Sequence, residues 1–215
     1  MDSIVELLRL PSPAPRPQAL VYDDPVLWMV ALGTSRLYAL DPASWTVRDE
    51  FQAPGAPYGL TRAGDELRVL CESPDDRRSI VRFIPGDGFA ADDALAVPDD
   101  TGSQLSHDGT TLYMSQWYNK RILAFDQSGG HRTVVTVPHQ ICGQVRVGDH
   151  FYLVTTDDES TNDFWLTRVD LHEGASTSED VAYIGFQARG LAFDGARFWT
   201  NHREQHEIVA FGRPG

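Results

Sequence analysis

Glu72 and His202 are the two residues of this chain best suited to moving a proton. Each falls at the end of a predicted second strand. A carboxylate facing an imidazole across a shared pocket can serve as acid and base when burial tunes both toward neutrality. Arg189 stands at a comparable position, where a guanidinium can clamp a ligand carboxylate or phosphate. Gln18, Gln104, Gln144, Gln116 and Asn201 add amides that orient a polar ligand. Tyr58 and Trp117, with Tyr118 alongside, add flat apolar walls. Gln104 and Gln144 stand out because each is read at a position where other rounds of the pattern carry glycine, and an amide so near an axis must be hydrogen-bonded.

The same residues have plainer uses. Glu72 can pair with Arg77 or Arg78 in its own loop, and Arg189 with Asp157 or Glu72. Asp157 opens an acidic loop, residues 157–163, whose oxygens suit a divalent cation, although the spacing of a calcium loop is absent. The sequence therefore requires no cofactor and leaves a divalent metal open. A phosphate-binding glycine loop, a Gly-x-Ser-x-Gly elbow, a Cys-x-x-Cys pair and a His-Glu-x-x-His helix are all missing.

What must position these residues is a repeat. Five runs share an apolar entry, a polar hairpin and a second apolar strand, at residues 18–28, 58–68, 103–113, 143–152 and 189–199. Anchored on Leu20, Leu60, Leu105, Val145 and Leu191, the spacings are 40, 45, 40 and 46. Strand-built periods of this length are the mark of propeller blades. Asp-Gly and Gly-Asp pairs lie where each tight hairpin needs them. A third, nearly continuous apolar strand follows in every round, as expected for strands buried on both faces. More polar fourth strands follow in four rounds, suited to an outer edge. The fifth round stops at Phe211, one strand short.

The missing strand is expected from the N-terminus, residues 4–10. This predicts an all-β, five-bladed β-propeller with four-stranded blades, the ring closed by the N-terminal strand pairing with the last blade. One domain, 1–215, is divided into blades near 18–54, 58–98, 103–138, 143–185 and 189–211 plus 4–10. Burying about four apolar side chains of the closing strand at ~2 kcal/mol each gives roughly 8 kcal/mol as an upper value. Ligands of such a ring bind over its top face, where loops of all the blades converge on a central funnel.

Composition narrows the partners. A formal net charge of −13 argues against nucleic acid or an anionic membrane surface. The two cysteines fall two blades apart and are not expected to pair. With an acidic N-terminus in place of a basic leader, the reading is a cytoplasmic protein, a monomer or weak homo-oligomer, whose partner is a small molecule.

The run 190–200 followed by 208–211 resembles the repeat of the streptogramin lyase superfamily. The run 19–23 through 36–42 is similar to plant-type glutaminyl-peptide cyclotransferases, and the gluconolactonase and regucalcin group is a weaker likeness. The resemblance covers nearly the whole chain as blade pattern, which specifies fold. The cyclotransferases' Glu-Gly pair reads Gln18-Ala19 and Tyr58-Gly59 here, and the lyases' first-strand histidine has its nearest match in His202. The resulting expectation is an enzyme of lyase, cyclase or ring-opening hydrolase type. Glu72 and His202 would transfer protons while the amides, Arg189, Tyr58 and Trp117 hold the substrate. The alternative is a non-catalytic ligand-binding or protein-interaction propeller.

Overall fold

A computed structural model describes residues 1–126, 128–172 and 175–214. The chain opens with β1 (Glu6–Pro11) and then lays down four blades in succession. Blade one is β2 (Pro17–Asp23), β3 (Val26–Ala31), β4 (Arg36–Asp41) and β5 (Thr46–Gln52). Blade two is β6 (Ala56–Ala63), β7 (Glu66–Glu72), β8 (Arg78–Ile84) and β9 (Gly88–Ala96). A 3-10 turn, Pro98–Asp100, leads to blade three, made of β10 (Leu105–His107), β11 (Leu112–Gln116), β12 (Arg121–Phe125) and β13 (His131–Thr136). Blade four is β14 (Gln140–Val147), β15 (His150–Thr156), β16 (Phe164–His172) and β17 (Ala175–Ile184). The last segments are β18 (Ala188–Phe193), β19 (Arg197–His202) and β20 (Glu207–Gly212).

Each blade is an antiparallel meander, and β1 completes the fifth in the order β1-β20-β19-β18. The innermost strands β2, β6, β10, β14 and β18 contact one another in a closed circuit. Hairpin chemistry sets the register. Gly109 and Gly195 take φ of 99° and 96°, which the Asp-Gly pairs supply without a Cβ clash. The middle strands β3 and β4 are buried almost throughout, whereas β5 is exposed along most of its length. Blade-to-blade packing explains that gradient. Trp28, Phe51, Phe83 and Phe89 interlock between blades one and two, and Tyr152, Phe198 and Phe211 between blades four and five.

The closing strand is held differently from expectation. Its backbone pairs with β20 from Glu6↔Phe211 to Pro11↔Glu207. Ile4, Leu8 and Leu10 are only partly buried, and Val5 and Leu7 are exposed, so the estimate of four buried side chains is too high. Polar contacts make up part of the difference. Arg9 bonds Glu6 and Glu207 and lies 5.0 Å over the Phe186 ring.

Candidate functional site on the top face

Every innermost strand breaks register at its entry. The shifts fall between Pro17 and Ala19, Pro57 and Gly59, Ile141 and Gly143, and Arg189 and Ala192. In blade three, Ser103 donates to the Ser115 carbonyl while the Ser115 N–H bonds the Gln104 carbonyl, so two residues bracket one. A bulge bends its strand and re-aims a side chain. Here the re-aimed residues are Gln18, Tyr58, Ser103 and Cys142, while in blade five Arg189 pairs with Asn201 just before the break; each of the five stands two positions before an inward anchor, and all line one top-face funnel.

That funnel has a volume of about 250 Å³, and its wall also includes Arg78, Gln104, Trp117, Tyr118, Glu159 and Arg203. Gln104 is 2 % exposed, and its Nε2 donates to the carbonyls of Tyr58 (3.1 Å) and Gln18 (3.4 Å), tying three blades together. Arg189, 5 % exposed, donates from Nη2 to Glu159 (2.6 Å) and from Nη1 to its neighbour's carbonyl, with Phe164 beneath it at 5.4 Å. Its carboxylate partner is thus Glu159, not Asp157 or Glu72. Trp117 and Tyr118 meet edge to face, with ring centres 4.4 Å apart. Tyr118 is 78 % exposed and stands free to cover a ligand. Burial pushes the Cys142 thiol up, which makes it a poor nucleophile.

Two expected partners do not meet. Glu72 accepts from Arg78 through Nε (2.8 Å) and Nη2 (2.7 Å) and from the Tyr58 hydroxyl, so it braces the funnel wall from behind. His202 stacks on Phe186 with ring centres 4.8 Å apart and accepts from the Gln205 N–H, outside the funnel. Local pairing is the cause: Glu72 is held against Arg78 and His202 against the Phe186 ring, and neither side chain reaches the cavity.

Three amides also fall elsewhere. Gln116 is buried and bonds Asn119, Arg121 and the carbonyls of Pro98 and Thr101, holding a loop. Asn201 is fully buried with neither amide atom partnered. Gln144 does not stand at the glycine position. Gly143 does, and its absent Cβ would lie 2.7 Å from Gly190 backbone atoms. Gln144 therefore occupies the leucine position of the other blades and donates to Ser106 Oγ (3.1 Å) and the Tyr113 carbonyl (3.2 Å) at the opposite mouth. A one-residue slip in register moves a side chain to the other face.

Asp157 sits 2.8 Å from His139 Nδ1, and Asp180 approaches the same ring at 3.4 Å. Among the described residues no group of three or more His, Cys, Asp or Glu side chains is arranged to hold a metal ion. Nor is any helix among them long and apolar enough to cross a membrane. Sequence reasoning places Arg203 at a top-face strand exit without giving it a role, and misses Arg78 and Glu159 as funnel residues. The latter two positions, at a third-strand start and in a loop, carry no periodic signal.

Fold and funnel together define a five-bladed propeller with one asymmetric central pocket. No protein family and no curated protein matches the chain. Among solved structures, glutaminyl cyclase of Myxococcus xanthus is similar at 13 % identity, with 98 % of this chain and 97 % of that one covered and a TM-score of 0.68. Regucalcin of Agrobacterium tumefaciens, a calcium-binding protein, matches at 11 % identity over 99 % and 95 %, with a TM-score of 0.61. Virginiamycin B lyase of Staphylococcus aureus matches at 14 % identity over 95 % and 68 %, with a TM-score of 0.55. Identities this low show the shared fold and leave the chemistry to the site.

Proposed function

We propose that this protein binds a small organic molecule in the top-face funnel, held between the aromatic pair Trp117–Tyr118 and the polar wall of Gln18, Gln104 and Arg189. The observation that carries the reading is the convergence of five unlike first-strand entry residues, four of them at bulges, on one cavity. A volume of about 250 Å³ lies just below the ~300–1,000 Å³ of drug-sized sites, which favours a metabolite over a peptide or nucleotide. Blade-by-blade difference in these residues favours a single central ligand over a repeated lectin-like mode.

A catalytic second reading, of lyase, cyclase or hydrolase type, is favoured by one observation. Glu159 brings a carboxylate to the funnel wall beside Arg189, in a fold shared with a cyclase and a lyase. In that reading Glu159, in place of the Glu72–His202 pair, takes the proton.

A metabolite set screened by ligand-observed NMR tests the proposal, with Trp117→Ala as control. Hits are expected to weaken about two- to tenfold in the variant, in line with the ~0.5–1.5 kcal/mol of an aromatic contact. Hits that bind the variant unchanged would place the ligand elsewhere and reject the funnel. Turnover of a hit that is lost in Glu159→Gln, with binding retained, selects the catalytic reading.

A further inference from the structure

The chain as a whole carries a net charge of −13, yet its top funnel gathers three guanidinium groups, those of Arg78, Arg189 and Arg203. Two of the three are already matched. Arg78 is bonded twice to Glu72, donates to the Gly102 carbonyl, and lies 3.8 Å over the Tyr58 ring. Arg189 has Glu159. Arg203 is bound only through its backbone, its N–H donating to the Gln187 carbonyl (3.2 Å) and its own carbonyl accepting from His206. Among the described residues its guanidinium has no hydrogen bond and no ion pair.

An arginine cannot shed its proton to escape such a site, so a half-buried, unmatched guanidinium is a standing electrostatic cost. Burial, together with the charges of Arg189 and Arg16, pulls the Arg203 pKa down. Glu159 and Glu204 counter this only in part. A second unmet group shares the cavity: Gln18 is 5 % exposed, and its Oε1 has no partner. The funnel thus offers a cation in want of an anion, an acceptor in want of a donor, and aromatic walls.

Resting on the funnel reading above, we propose that Arg203, beside Arg189, is an anion receptor and that the ligand is a small organic oxyanion, a carboxylate or a phosphate ester, with a flat body packed on Trp117 and Tyr118. Glu159 keeps Arg189 in position, and Arg203 supplies the open fork. Two N–H groups of a guanidinium match the two oxygens of a carboxylate or phosphate, and the low-dielectric wall strengthens that contact.

Three probes with one ring and different heads test this: phenylacetate, phenyl phosphate and the neutral 2-phenylacetamide, each titrated by NMR into the intact protein, Arg203→Ala and Arg203→Lys. Both anions are expected to bind the natural protein at least tenfold more tightly than the amide. Arg203→Ala should erase that preference, and Arg203→Lys should retain part of it. Neither variant should melt below the natural protein, and Arg203→Ala should melt at or slightly above it, because the side chain holds no other group and its buried charge is a cost. A tighter phosphate identifies a phosphate ester as the head group, and a tighter phenylacetate identifies a carboxylate. Equal binding of amide and anions, or a preference that survives in Arg203→Ala, overturns the anion receptor and leaves funnel binding intact. Silence from all three probes also overturns it, and the metabolite screen with Trp117→Ala then decides the funnel separately.

Discussion

At the top mouth of the channel, four bulged residues and three arginines surround about 250 Å³; at the bottom mouth, regular strand ends surround about 460 Å³. The larger cavity has charged groups too, but they are turned on the chain itself. Arg62 pairs with Asp23 (2.8 Å), Arg146 donates from Nε to the Gly148 carbonyl and lies over Phe151, and His107 Nδ1 accepts from the Gly109 N–H. Volume therefore does not distinguish a receptor from a gap between hairpins. An unmatched charge does: the bottom mouth has buried unpartnered atoms of its own, Gln144 Oε1 and Arg146 Nη1, but Arg146 is held there through Nε, whereas the Arg203 guanidinium at the top mouth has no partner among the described residues.

The harshest way to break this comparison is to open the ring. Deleting residues 1–11 removes β1 and exposes β20, which should abolish cooperative unfolding and both mouths with it. Whole-domain stability is only ~5–15 kcal/mol. A truncated protein with a near-natural melting temperature by calorimetry would show that the ring does not depend on its closing strand.

A subtler cut separates the mouths. Gln144→Leu restores the residue type found at this position in the other blades and removes a buried, unpartnered Oε1, while it frees Ser106 and the Tyr113 carbonyl. These effects oppose each other, so stability by urea denaturation should stay within about 1 kcal/mol. Top-face binding should be unchanged. Loss of binding in this variant would mean that the two mouths act as one site.

The smallest expected effect is in pH. Burial, followed for His202 by the charge of Arg9, lowers its pKa below 6.5; for His107 burial outweighs the opposing charge of Asp108, with Arg68 adding a smaller lowering. The unfolded chain then binds more protons near and below pH 6.5, so stability is full above that value. It declines as pH falls toward the lowered native values. With both rings partly solvated, each should contribute well under ~1 kcal/mol. NMR titration should find both imidazoles below 6.5, and a midpoint above that would reverse the sign.

The ring was legible in sequence because its signals are periodic: leucine anchors, hairpin glycines and a strand missing at one end. Much of the site was not. Blade four carries Gln144 where its sisters carry leucine, so an alignment on Val145 shifted the reading by one residue and hid Cys142 as a funnel position. Glu72 and His202 have the right chemistry but are held by Arg78 and by the Phe186 ring, away from the cavity. Arg203, next to the end of β19, was legible as a top-face residue but not as an unmatched charge, and Glu159 comes from a loop whose length differs between blades, where no repeat can forecast a neighbour.

The bulges have a consequence for how such a receptor can change. Gln18, Tyr58, Ser103 and Cys142 stand outside the regular ladder of their blades, and Arg189 stands at the last pair before its ladder breaks, on five separate sheets. A substitution at Tyr58 or Ser103 changes the funnel wall while the blade's ladder is kept, whereas Cys142 and Arg189 are tied to the buried core. Selectivity in this architecture can therefore drift at some entries while the propeller around them stays still.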